Sequence, residues 1–179
     1  MKQKKKIFEQ HLYHEIEDEE KTEEYLENSL PLIGDIVMYF NGLEKSLDRI
    51  ICEIFTDRTD STGLIVLHKM NYSTKVELFK RFSDDFHSAC DIGIEGYENL
   101  ITNLKETGRL RNLVVHADWE NTDDDGYTYV NLRISKNGME QEYFQFSEDS
   151  LKEIIKLIFK ARIQLGEYWE KRNEELYKN

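Results

Sequence analysis

From Leu32 to Phe55 the apolar side chains return at intervals of three and four: Leu32, Ile36, Tyr39, Phe40, Leu43, Leu47, Ile50, Ile51, Ile54 and Phe55. At 3.6 residues per turn this spacing lines up one face of a single long helix, and a face that wide has to be buried against other helices. Ser29 and Pro31 stand where a cap and a first helical turn belong, so the helix is predicted from residue 31 to about Thr56. Asn41, Glu44, Lys45 and Asp48 occupy its other faces. Glu44 reads as a solvated charge, with a supporting place at a site as the alternative. One helix of this length commits the chain to a bundle.

The remaining segments fit that commitment. Asp57 to Thr62 is a polar connection. A second helical pattern runs through Leu64, Ile65, Leu67 and Met70, with a break expected near Asn71-Tyr72-Ser73, then Val76, Leu78, Phe79 and Phe82. Lys75, Lys80 and Arg81 fall on its far side. A third pattern extends from about Ile94 to His116, interrupted by Gly108, which costs about 1 kcal/mol relative to alanine and suggests close approach of another backbone. Ser147 caps a last helix with Glu148 and Asp149 in its first turn. Its stripe is Leu151, Ile154, Ile155, Ile158, Phe159, Ile163, Leu165 and Trp169, and residues 171–179 read as a polar tail.

Between the third and last helices the period falls to two. Tyr127 to Ser135 and Met139 to Phe146 alternate as strands around Lys136-Asn137-Gly138, a strong hairpin signal because both central turn positions need positive φ. This reading sets Arg133 opposite Glu142 and puts Val130, Leu132, Ile134 and Tyr143 on one face. Asn121 to Gly126 resembles the opening of an EF-hand loop, but position twelve is Leu132 and a strand follows, so a tight polar turn is expected. The fold class is mainly α, a bundle of four to five helices with a β-hairpin before the last long one. The expected organisation is an acidic helical or flexible arm over residues 1–30, a helical domain over 31–170 with the hairpin at about 127–146, and the tail.

Composition narrows the function classes. Thirty-six acidic residues against 24 basic ones give a net charge of −12, which argues against broad sequence-independent nucleic-acid binding, and no DNA partner is expected. A small locally basic site on an acidic body remains open. No apolar run reaches the ~20 residues of a membrane span, and Lys2 to Lys6 is followed by Ile7-Phe8-Glu9 and not by a signal-like core. Cys52 and Cys90 read as buried thiols of a reducing compartment, hence a cytoplasmic protein. His11 and His14, with Glu15, have ligand spacing, but a metal would need further ligands from elsewhere; no metal and no cofactor is expected. His68 and His87 lack ligand neighbours and read as surface or cap residues.

The third helix closes on Arg109-Leu110-Arg111-Asn112-Leu113-Val114-Val115-His116-Ala117-Asp118-Trp119. An arginine and a histidine beside an amide suffice for metal-free phosphodiester cleavage. Helices closing on Arg-Asn-x-x-x-His, followed by a hairpin and a final helix, resemble the HEPN superfamily over roughly residues 31 to 170. Arg111-Asn112-Leu113-Val114-Val115-His116 matches its motif in residue type and spacing. The resemblance implies a homodimer that pools two such motifs in a composite site. A 2′-hydroxyl would attack the adjacent phosphate, leaving 2′,3′-cyclic phosphate and 5′-hydroxyl ends. His116 would move protons, Arg111 would stabilise the oxyanion, and Asn112 would orient the arginine or the phosphate. Such an RNA-cleaving enzyme would be a toxin or defence effector with a cognate antitoxin or regulator. Members paired with a nucleotidyltransferase antitoxin often carry tyrosine two residues after the histidine. Asp118 stands there instead, so that mode of neutralisation is not expected. Asp118 and Glu120 put negative charge near an incoming phosphate; Arg109 would offset it, or Asp118 would hydrogen-bond His116. On an ideal helix Arg111 and His116 lie about 140° apart, whereas Asn112 and His116 share a face. Two other readings stand beside the enzyme: a non-catalytic HEPN module that binds RNA, a nucleotide or a partner protein, and a purely structural helix end.

Overall fold

The computed structural model describes residues 1–8, 18–56, 61–136 and 138–177. Among them are five helices and four strands. The order is β1 (Lys2–Ile7), α1 (Glu19–Thr56), α2 (Ser61–Leu67), α3 (Tyr72–Cys90), α4 (Tyr97–His116), β2 (Asp118–Thr122), β3 (Tyr127–Ser135), β4 (Gly138–Gln145) and α5 (Glu148–Tyr177). The mainly helical class with strands ahead of the last helix is as expected. The chain forms two compact units, one of residues 1–37 and 110–155, the other of 38–109 and 156–179. No helix among the described residues is long and apolar enough to cross a membrane.

In the second unit the apolar stripe of α1 makes the core. Phe40, Leu43, Leu47, Ile50 and Ile51 are buried with Val76, Phe79, Leu100, Leu104, Ile158 and Leu165. Phe40 packs on Tyr72 and Phe55 on Phe82, so α1 and α3 run the same way. Tyr39 on Phe159 and Trp169 bonded to Glu53 set α5 in that direction too. Tyr72 bonds the Leu104 carbonyl and Tyr97 bonds Asp84, so α4 runs against α3. The expected break falls before Tyr72, where Asn71 caps α3 by accepting the Thr74 N–H at 2.9 Å.

Three details of this unit differ from the sequence reading. Lys75 is not on a solvated far side. It is 7% exposed, and its ammonium donates to Glu44 at 2.8 Å and to Asp48 at 3.0 Å. Gly108 does accommodate a close neighbour, but that neighbour is an aromatic ring: an added Cβ would lie 2.8 Å from Tyr72. Cys52 is buried as expected, whereas Cys90, the last residue of α3, is exposed beyond the final buried turn.

The first unit carries a four-stranded antiparallel sheet in the order β1-β4-β3-β2, larger than the expected hairpin. The amino terminus, expected to be helical or frayed, supplies edge strand β1 paired along β4. A run of lysines carries no apolar alternation to announce a strand, yet lysines suit an edge because their charge discourages further pairing. Lys4 pairs with Asp123 and lies 4.3 Å over the Tyr127 ring, while Lys5 reaches Glu142 at 3.3 Å. In the hairpin Ser135 faces Gly138, which sets Arg133 opposite Glu140 and not Glu142. Arg133 still reaches Glu142 diagonally at 3.5 Å. A shift of register between Tyr129 and Asn131 leaves Val130 unpaired, and Ile134, expected on the core face, is 74% exposed at the hairpin tip. Asn137 lies outside the described residues, as do His11, His14, Glu15 and residues 57–60.

The start of α1 is a further correction. The helix begins at Glu19, and Asp18 caps it by accepting the Lys21 N–H at 3.1 Å. Ser29 therefore caps nothing: it is buried and its hydroxyl donates back to the Tyr25 carbonyl at 2.8 Å. Pro31 sits inside the helix. One proline removes one intrahelical bond, and a helix already begun upstream continues through it when its flanking turns are packed. The polar turn before β3 is as expected: Asp123 accepts the Tyr127 N–H at 2.8 Å. Gly126 takes φ 80° against the Tyr25 ring. Ser147 caps α5 by accepting the Ser150 N–H at 3.2 Å. The helix then continues through the expected tail to Tyr177, because Arg172 stacks 4.6 Å over Phe86 and 4.8 Å over Trp169.

Candidate active site

The Arg-Asn-x-x-x-His motif occupies the last two turns of α4, within the unit that also holds the sheet. Its apolar members anchor it: Val114 is fully buried, and Leu113 and Val115 are half-buried. The helix end is then pinned from outside. The Trp119 indole N–H donates to the Val114 carbonyl at 2.9 Å, taking one of the four carbonyls that a helix end leaves without an intrahelical partner. Trp119 in turn packs on Phe146 with ring centroids 5.1 Å apart, and its own carbonyl accepts the Thr122 hydroxyl at 2.9 Å. The turn that presents His116 is thus fixed from its apolar side.

The polar members point the other way. Arg111 is half-buried and its Nη1 donates to the Asn112 side-chain oxygen at 3.1 Å. The Asn112 amide thus contacts the guanidinium through its side-chain oxygen. Asn112 and His116 are exposed. His116 is the final residue of α4, and its imidazole makes no hydrogen bond within the described residues. An exposed imidazole can exchange protons with a ligand, and the guanidinium five residues before it carries donors that can take up a phosphate oxygen.

The three supporting residues are placed otherwise than expected. Asp118 opens β2 opposite Tyr129, and its carboxylate accepts the Asn121 amide, so the bond to His116 is not made. Burial, helped by Asp118, raises the Tyr129 phenol above its usual range. Arg109 is clamped by Glu106 on α4 itself, Nε and Nη2 each donating at 2.7 Å, so its charge is met locally. That bidentate bond holds Glu106 below the usual carboxylate range and raises Arg109. Glu44, partly solvated, is one of the two carboxylates that hold the buried Lys75.

A second polar cluster escaped the sequence reading. His87, taken for a surface or cap residue, is half-buried in the helical unit, edge-on to Tyr97 at 4.6 Å and to Tyr168 at 5.8 Å. Its Nε2 lies 3.3 Å from the Tyr168 hydroxyl. Tyr97 donates to Asp84 at 2.7 Å, and burial pushes its phenol far above the usual range. Burial likewise lowers the His87 imidazole, against the pull of Asp84 and Glu98. Beside it lies an open depression of about 300 Å³ lined by His87, Gly93, Ile94, Gly96, Tyr97 and Glu98. A tyrosine held neutral and an imidazole kept uncharged tie α3, α4 and α5 together. Only the three-residue spacing of Asp84 and His87 was visible beforehand, and that pair has no meaning until Tyr97 and Tyr168 arrive from other helices.

Among the described residues no group of three or more His, Cys, Asp and Glu side chains could hold a metal ion. Comparison of the chain with family models, with curated proteins and with solved structures finds no match.

Proposed function

We propose that the chain is a HEPN-like metal-independent endoribonuclease whose site is built on Arg111, Asn112 and His116. The observation that carries this reading is the Arg111–Asn112 hydrogen bond on the same two closing turns that present an exposed His116. In the proposed reaction the 2′-oxygen of RNA attacks the adjacent phosphorus and its proton passes to an imidazole. The bond to the 5′-oxygen breaks, and that oxygen takes up a proton. Arg111 meets the charge that grows on the non-bridging oxygens, where a preset cation contributes most. A homodimer would supply a second Arg–His pair, so that one imidazole accepts a proton while the other donates. The biological role that goes with this chemistry is a cytoplasmic toxin or defence effector under the control of an antitoxin or other regulator.

A second reading, a non-catalytic module that binds RNA, a nucleotide or a partner protein, is favoured by a specific feature. Asp118 and Glu120 stand two and four residues after His116, on a chain of net charge −12. One experiment separates the two. The purified chain is incubated with single-stranded RNA in EDTA, and the ends are analysed. The enzyme predicts cyclic phosphate ends, lost by a factor of about 100 or more in Arg111→Ala and His116→Ala with unchanged circular dichroism. Intact RNA with the parent chain, at concentrations where RNA binding is measurable, sinks the enzyme and leaves the module.

A further inference from the structure

The exposed face of α5 has a charge order that is hard to reconcile with a helix serving only its own chain. Ile163 is 61% exposed and Phe159, one turn before it, is 39% exposed. Lys156 and Lys160 precede the isoleucine and Glu167 and Glu170 follow it, all four exposed. At 100° per residue, Lys156 and Glu170 fall within about 20° of the Ile163 direction, and Phe159 and Glu167 within about 40°. The stripe is therefore basic, then apolar, then acidic. Among the described residues Lys160, Glu167 and Glu170 make no ion pair within the chain. Gly166, on the same side of the helix, has open space where a Cβ would stand, so another backbone can come close.

We infer that this face of α5 binds α5 of a second copy of the chain, antiparallel, about a two-fold axis at Ile163. The arithmetic of the stripe is what selects this partner. A two-fold axis through residue 163 brings residue 163 − k of one helix against 163 + k of the other. Lys156 and Glu170 are each seven residues away, about 10.5 Å along the axis, and so meet. Lys160 meets Gly166 and lies beside Glu167, while Phe159 meets Glu167 across the aliphatic part of its side chain. The Ile163 side chains meet each other. A parallel pairing would instead set Lys156 against Lys156 and Glu170 against Glu170, which is repulsive. The surface is thus complementary to itself in one orientation only, as an isologous interface has to be. A single helix pair buries less than the ~1,200 Å² of standard stable interfaces, so the expected dissociation constant is on the order of 10 µM, rising with salt. The inference does not rest on the ribonuclease reading.

Sedimentation velocity on the full chain tests it. The expected result is a reversible dimer of the 21.4 kDa chain. Ile163→Asp abolishes it without lowering the melting temperature, since the side chain is exposed in the monomer. Lys156→Glu and Glu170→Lys each raise the dissociation constant about tenfold, because two pairs per dimer become repulsive. A 1:1 mixture of those two variants dimerises like the parent, since every 156–170 pair is again opposite in sign. In a Cys90→Ser background, Ile163→Cys gives a disulfide-linked dimer on mild oxidation. A chain that stays monomeric at about 100 µM overturns the inference. So does a dimer indifferent to Ile163→Asp, or a mixture that shows no recovery. RNA cleavage assayed on the same samples reads separately, so failure of either idea is visible without the other.

Discussion

Replacing Lys75 by methionine tests the energetics of the helical unit most directly. The ammonium is 7% exposed and bonded to Glu44 at 2.8 Å and Asp48 at 3.0 Å, whose side chains retain 28% and 23% of their exposure. Burial alone would lower the lysine's pKa, but its bonds to the two carboxylates outweigh that and raise it, so the cation is present at any physiological pH. Methionine keeps the apolar stem and removes the charge. Two like charges one turn apart on α1 then lose their common partner. Removing one member of a buried pair costs about 3–5 kcal/mol, and the partial solvation of these carboxylates brings the expectation to about 2–3 kcal/mol. For a chain of this length that is a fall of roughly 4–12 °C in melting temperature. Urea unfolding of parent and variant at pH 7.5 supplies the check. Replacing Glu44 and Asp48 by leucine as well recovers most of the loss, since an apolar set avoids desolvating charge altogether. A Lys75→Met chain within about 0.5 kcal/mol of the parent at pH 7.5 would refute the reasoning.

Three further outcomes are expected. Gly108→Ala gains about 1 kcal/mol of helix propensity but meets the Tyr72 ring, which is held by its hydroxyl on Leu104 and by Phe40; a net loss of about 1 kcal/mol in chemical unfolding is expected, reversed in a Tyr72→Leu background. Because burial depresses the His87 imidazole, its contribution to stability is present above the unfolded value near ~6.5 and is lost as pH falls through the folded value. The parent therefore loses more stability between pH 7.5 and 5 than His87→Gln does in thermal melts; equal losses contradict the assignment. Trp119→Phe removes the donor to the Val114 carbonyl at the cost of about 1 kcal/mol, and hydrogen exchange speeds up over residues 113–116 while the rest of α4 keeps its protection.

The candidate site was legible in the sequence to the extent that it is local. Arg111 and Asn112 are neighbours, and their hydrogen bond needs only the helix that Leu104, Leu110, Leu113 and Val114 announce. The roles expected of Asp118, Arg109 and Glu44 depended on where side chains go after the chain turns, and all three found other partners: Asn121, Glu106 and Lys75. Lys75 was read as a surface charge because lysine is almost never buried unpaired, and nothing near it in the chain signals that α1 brings two carboxylates to it.

By itself the sequence determined the helices, the hairpin, the cap at Ser147, and the helix end that carries Arg111 and His116. Each of these follows from neighbours within four residues, where spacing and backbone preference act. Only the tertiary structure decided that Lys2–Ile7 is a strand, that α1 begins at Glu19 and not at Pro31, and that His87 is a packing residue. Those outcomes depend on partners distant in the chain: β4 pairs 133 to 143 residues from β1, Asp124 lies 106 residues from Asp18, and Tyr168 lies 81 from His87. The lysine-rich amino terminus has no strand period of its own and becomes a strand because β4 offers it an unpaired edge. α1 starts early because Asp18 caps it, and because the Asp124 carboxylate from the turn before β3 accepts the Asp18 N–H at 3.3 Å. Local pattern fixed what each segment could form, and the burial and pairing of distant groups fixed which of those forms it took.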